Sequence, residues 1–147
     1  MKKSVLFKVF LILLPAMAVL LATTGDSVTV FDPQNGTTQF YSYFSVIPQS
    51  QFSMSTPLAA ILAVVATLLA SIFVALGKNW CISQLRWIAP VSAIVAVAPI
   101  LLRGEILVIP NVLFPILMMV QWLLVSIINK KPEVLTAEPV ARKLKAR

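Results

Sequence analysis

Residues 58–76 run for 19 positions without a charged side chain, and three comparable apolar stretches occupy 5–23, 87–102 and 109–128 of a 147-residue chain. An uncharged run of that length rises by about 30 Å as an α-helix, the thickness of a hydrocarbon core. Inside lipid every backbone N–H and C=O must find its partner within the protein, so such runs cross as helices. This constrains the chain more than any motif in it. The expected fold is all-α and integral to the membrane: a four-helix transmembrane bundle with a short β-hairpin in the first extracytoplasmic loop. Residues 1–129 form the four-span domain, with an outer loop over 25–57, and residues 130–147 form a basic cytoplasmic tail.

Composition argues the same way. Charged residues make up 12% of the chain, against about 25% in a soluble domain, and they gather at the ends and in short gaps. The distribution suits lipid-facing segments better than a soluble core. The net charge of +7 reads as topology rather than as a nucleic-acid footprint, because Lys and Arg stay on the cytoplasmic side of a membrane. With both termini inside, the inner face holds Lys2, Lys3, Lys8, Lys78, Arg86, Lys130, Lys131, Arg142, Lys143, Lys145 and Arg147. The outer face holds Arg103 alone, with Asp26, Asp32 and Glu105. Trp80 and Trp87 flank the inner connection as interfacial aromatics do. The expected location is the cytoplasmic membrane, multi-pass, and the overall style is bacterial.

The spans differ in character. In the first, Lys8 snorkels toward the cytoplasmic end and Pro15 interrupts the helix. A cleaved signal peptide is the rival reading, but the apolar run exceeds the roughly 7–15 residues of a signal core, and a retained anchor is preferred. Pro57 suits the first turn of the second span. The third is only 16 residues, about 24 Å, interrupted by Pro90 and Pro99; a shallow or bent helix is expected, with Arg86 and Arg103 snorkelling from its ends. Within the outer loop, Ser27–Phe31 and Thr37–Tyr41 are β-branched and aromatic around Asp32-Pro33-Gln34-Asn35-Gly36, a hairpin signature. Asn35-Gly36-Thr37 also matches a glycosylation sequon, but the turn accounts for the same residues.

Chemistry is constrained mainly by what is missing. There is no histidine and a single cysteine, Cys81, so the chain contains no His-based metal site, no His general base and no intrachain disulfide. The membrane interior carries no Asp, Glu, Arg or His, the groups on which proton-coupled carriers depend. Small multidrug exporters match in size and span number, but they need an intramembrane glutamate in the first helix, which this chain lacks. No catalytic, metal or cofactor residues are assigned. Cys81 falls at the inner interface, where palmitoylation is one reading and an inert thiol the preferred one. Ala59, Ala63, Ala66, Ala70 and Gly77 recur along the second span, and Ala89, Ala93 and Ala96 along the third. Small residues let helix backbones approach closely, so the two spans are expected to pack as a tight pair, a homodimer seam being the alternative.

Two residue sets are candidates for function. Phe31, Phe40, Tyr41, Tyr43, Phe44 and Phe52 give the outer loop more apolar surface than a short exposed loop needs, and they form a candidate interaction surface. Asn111, Gln121 and Ser126 are the polar groups of the fourth span; Gln121 is expected to face another helix and hydrogen-bond there. The basic tail is expected to contact anionic lipid headgroups.

Tyr41-Ser42-Tyr43-Phe44-Ser45, after the hairpin and before an alanine-rich span, resembles a segment of uncharacterised small four-helix membrane proteins of anaerobic bacteria. That resemblance spans about the first half of the chain and implies no activity. The layout of four spans with a hairpin in the first outer loop is similar to that of claudin-type proteins, whose paired loop cysteines and Trp-Gly-Leu-Trp pattern are absent here. The functional expectation is a non-enzymatic structural or accessory membrane protein that presents its outer loop to a membrane-protein partner, a lipid or itself. The alternative is an oligomeric transporter or channel for a small solute, lined by Asn111, Gln121 and Ser126.

Overall fold

The computed structural model describes residues 3–24, 28–32, 35–45, 54–103 and 109–130. Helices α1 (Lys3–Thr23), α2 (Ser55–Leu76), α3 (Asn79–Arg103) and α4 (Ile109–Lys130) form a bundle. Each is long and apolar enough to cross a membrane. Around the bundle α1 packs on α2, α2 on α3, α3 on α4, and α4 closes the ring on α1. Strands β1 (Val28–Asp32) and β2 (Thr37–Tyr41) lie between α1 and α2 in the chain and pair antiparallel, Val28 opposite Tyr41 and Asp32 opposite Thr37. Gly36 beside this ladder sits at φ 63°, a conformation that glycine adopts without a Cβ penalty.

Large apolar side chains cover the outside of the bundle as well as filling part of its interior. The interior is rich in small residues, Ala18, Ala22, Ala59, Ala63, Ala66, Ala70, Ala89, Ala93 and Ala96, and holds Thr56, Ser92, Asn111 and Gln121 beside larger side chains such as Leu11, Leu85, Phe114 and Met118. The outside is built from large aliphatic side chains such as Leu13, Leu20, Leu68, Ile94, Leu101, Ile116 and Leu123. Lipid tails are as apolar as leucine, so nothing drives these side chains inward; close backbone approach over small residues does the packing. The buried set follows a helical repeat on each element, as at Leu11, Pro15, Ala18 and Ala22 of α1. Two hydroxyls in the middle of α2 bond back to their own helix, Thr67 Oγ1 to the Ala63 carbonyl at 2.9 Å and Ser71 Oγ to the Thr67 carbonyl at 2.9 Å, so these two impose no unpaired group on the membrane.

The α2–α3 pair carries the alanine stripes, all seven buried. Ser92 Oγ donates across this seam to the carbonyl oxygen of Ala59 at 2.9 Å. Gly77 is not part of the seam, although it continues the alanine spacing. It is exposed and left-handed (φ 66°, ψ 23°), and its N–H caps α2 by donating to the Phe73 carbonyl at 2.8 Å. After Gly77 and Lys78 the chain re-enters a helix at once.

That re-entry makes the helix longer than the apolar run that marks the third span. Helix α3 begins at Asn79, eight residues before the apolar run at Trp87, and its 25 residues reach about 37 Å. The sequence of its first two turns, with Ser83, Gln84 and Arg86, is too polar to count as a membrane run, yet helix geometry continues through it. Trp80 and Trp87 therefore lie two turns apart on one exposed face of α3 rather than on either side of a loop. The other helices extend the expected spans by two or three residues at one end: α1 to Lys3, α2 to Ser55 and α4 to Lys130.

Candidate functional site

The buried stripe of α4 reads Asn111, Phe114, Pro115, Met118, Gln121, Val125 and Ile128. Spacings of three and four keep one face toward the bundle, so the two amides are carried inside by the same periodicity that buries Phe114 and Met118. Asn111, in the first turn, is 2% exposed and Gln121, near mid-helix, is 0% exposed. Ten residues separate them, roughly 15 Å along the axis. Gln121 faces the interior, but among the described residues neither its Oε1 nor its Nε2 has a hydrogen-bond partner, and neither does Nδ2 of Asn111. A buried amide left unpaired costs about 1–3 kcal/mol, so these are the least satisfied groups of the described bundle, together with the Thr56 hydroxyl.

Ser126 does not join them. It lies five residues after Gln121, which at 3.6 residues per turn rotates it by about 140°, and it is half-buried. Asn111 and Gln121 thus share the buried face of α4, and Ser126 lies off it. The arrangement offers hydrogen-bond donors and acceptors at two separate depths and no group able to exchange a proton near neutral pH. Among the described residues, no three His, Cys, Asp or Glu side chains gather into a set that would hold a metal. Cys81 is buried in the first turn of α3.

The aromatic loop divides in two. Tyr43 is 1% exposed: its backbone N–H donates to the Ala22 carbonyl in the last turn of α1 at 3.1 Å. Its ring stacks on Phe114 of α4 with centroids 4.7 Å apart and planes 20° from parallel. Tyr43 thus belongs to the core and not to a surface, a correction to its place in the candidate set. Tyr41 is half-buried and packs against that core, as does the buried Val28 opposite it on β1. Phe40 and Phe44 face outward, 56% and 41% exposed. The Phe31 side chain and all of Phe52 lie outside the described residues, as does the basic tail from Lys131 onward.

A second feature was not anticipated from the sequence. Between α3 and α4 runs an open groove of about 810 Å³, walled by Ala93, Ile94, Ala98 and Leu101 on one side and by Val112, Ile116, Met119 and Leu123 on the other, with Asn111 at one end. Its walls are side chains of ordinary membrane composition, and no spacing distinguishes a groove from a filled seam. No protein-family model matches the chain, and neither does any curated protein or solved structure.

Proposed function

We propose that this chain is a small, non-enzymatic protein of a bacterial cytoplasmic membrane, a structural or accessory component that offers its 25–57 loop on the outer face to a membrane-protein partner. In this reading both termini lie in the cytoplasm, the β1–β2 hairpin is part of the offered loop, and the basic tail rests on anionic lipid of the inner leaflet. The observation that carries it is the split within one short loop. Tyr43 holds the segment rigidly to α1 and α4, while Phe40 and Phe44 stay exposed on it. Rigid aromatic side chains on a fixed support are what binding surfaces favour, because little entropy is lost when they are covered. Photo-crosslinking from position 40 in the native membrane tests this. The expected result is one discrete protein adduct that Phe44→Ser weakens; adducts to lipid alone would remove the partner from the reading.

Gln121 favours a second reading, an oligomeric transporter or channel for a small solute. A side chain with both amide atoms buried and unpaired is a natural place for a passing polar solute to bond. If purified protein in liposomes conducts a small solute and Gln121→Leu abolishes the flux, the accessory reading gives way to this one.

A further inference from the structure

The α3–α4 groove opens on the face that meets lipid, and it has one polar residue at its end. Asn111 lies in the first turn of α4, two residues after Ile109, at the end of the bundle where α3 finishes with Arg103. From Asn111 to Leu123 the groove extends along twelve residues of helix, roughly 18 Å, slightly more than one leaflet of an about 30 Å hydrocarbon core. Its dimensions are those of a single extended acyl chain entering from the hairpin side. Apart from Asn111, the walls are aliphatic and thioether side chains.

Asn111 gives the groove a polar specificity that an ordinary lipid-facing furrow lacks. Its side chain is almost wholly buried and its Nδ2 has no acceptor among the described residues. Asn111 is itself one of the residues lining the groove, and the terminal torsion of asparagine is soft. At that depth, just inside the helix end, the acceptors present in a membrane are the ester carbonyls that join acyl chains to glycerol. We infer that the α3–α4 groove is a binding site for one diacyl glycerophospholipid, with an acyl chain laid between Ala98 and Ile116 and its ester carbonyl accepting a hydrogen bond from Asn111.

The test compares an ester phospholipid with its ether analogue, which has the same chains but no carbonyls. The full-length protein is released from mixed micelles of dioleoyl ester phosphatidylcholine and the di-O-oleyl ether form, and retained lipid is counted by native mass spectrometry. The expected result is one retained lipid per chain with ester favoured about fivefold, the size of one net hydrogen bond. Asn111→Leu is expected to abolish the preference while retaining lipid, and Ala98→Phe, which fills the groove from a half-buried position, to lose both forms. Equal retention of ester and ether lipid by the unaltered chain overturns the proposal. So does rapid disulfide formation between chains carrying Ile116→Cys, because a second copy would then occupy the groove.

Discussion

Ser92 Oγ lies 2.9 Å from the carbonyl oxygen of Ala59, a hydrogen bond between two helices that bury seven alanines of the α2 and α3 stripes. It joins the middle of α3 to the first turns of α2. In lipid such a bond contributes about 0.6 kcal/mol on average and at most about 2, so close packing carries most of the seam.

Two substitutions separate these contributions. Ser92→Ala keeps the packing and removes only the bond; a loss of about 0.6 kcal/mol is expected in a reversible detergent-unfolding titration. Ala63→Leu, at a fully buried seam position, inserts methylenes where no space exists and is expected to cost at least about 1–3 kcal/mol. If the two variants lost equal stability, packing would not be the main force holding α2 to α3.

Tyr43 ties the loop to the bundle, so Tyr43→Ala should free it. Loss of a buried aromatic side chain costs about 3–5 kcal/mol in a packed core, including about 0.5–1.5 for the stacked pair with Phe114. Because the loss falls on the loop, amide exchange across 37–41 is expected to accelerate strongly while α2 and α3 keep their protection. Phe44→Ala, at an exposed position on the same loop, is expected to leave exchange unchanged.

Gln121→Leu is expected to leave the bundle at least as stable as before. The side chain is fully buried with no partner for either amide atom, and leucine has a similar volume without the unpaired groups. Thermal unfolding in detergent provides the measurement. A loss above about 1 kcal/mol would mean that Gln121 bonds to something in the folded state, and its role as interhelical glue would return.

Gly77→Ala isolates a backbone effect. A Cβ at this position would meet no atom within 4 Å, so the entire cost comes from holding a non-glycine residue at φ 66°, about 1–2 kcal/mol. Gly77→Asn is expected to cost less, since asparagine tolerates the left-handed region. Helix-pair stability of these two variants, compared in the same titration, checks the order.

The four spans were legible from the sequence because a membrane gives a residue-by-residue signal: a run without charges must be covered by lipid, and lipid forces helix. The same signal gave only part of helix α3, since the turns around Ser83 and Arg86 are too polar to count as a membrane run while the helix continues through them. The alanine stripes could be read as a seam because their spacing is periodic, and they form one. Gly77 kept the spacing but serves as a cap, which depends on a dihedral angle that no pattern displays.

Sequence alone determined which segments belong in the membrane, because transfer from water to lipid depends on each side chain separately. Tertiary structure alone decided that Tyr43 is a core residue while Phe40 and Phe44 are not, that Gln121 is buried without a bond, and that α3 and α4 leave a groove. Those outcomes depend on which atoms of distant segments meet. In a non-repeating loop or at a helix–helix crossing, that is set by the path of the chain and not by the residue types along it.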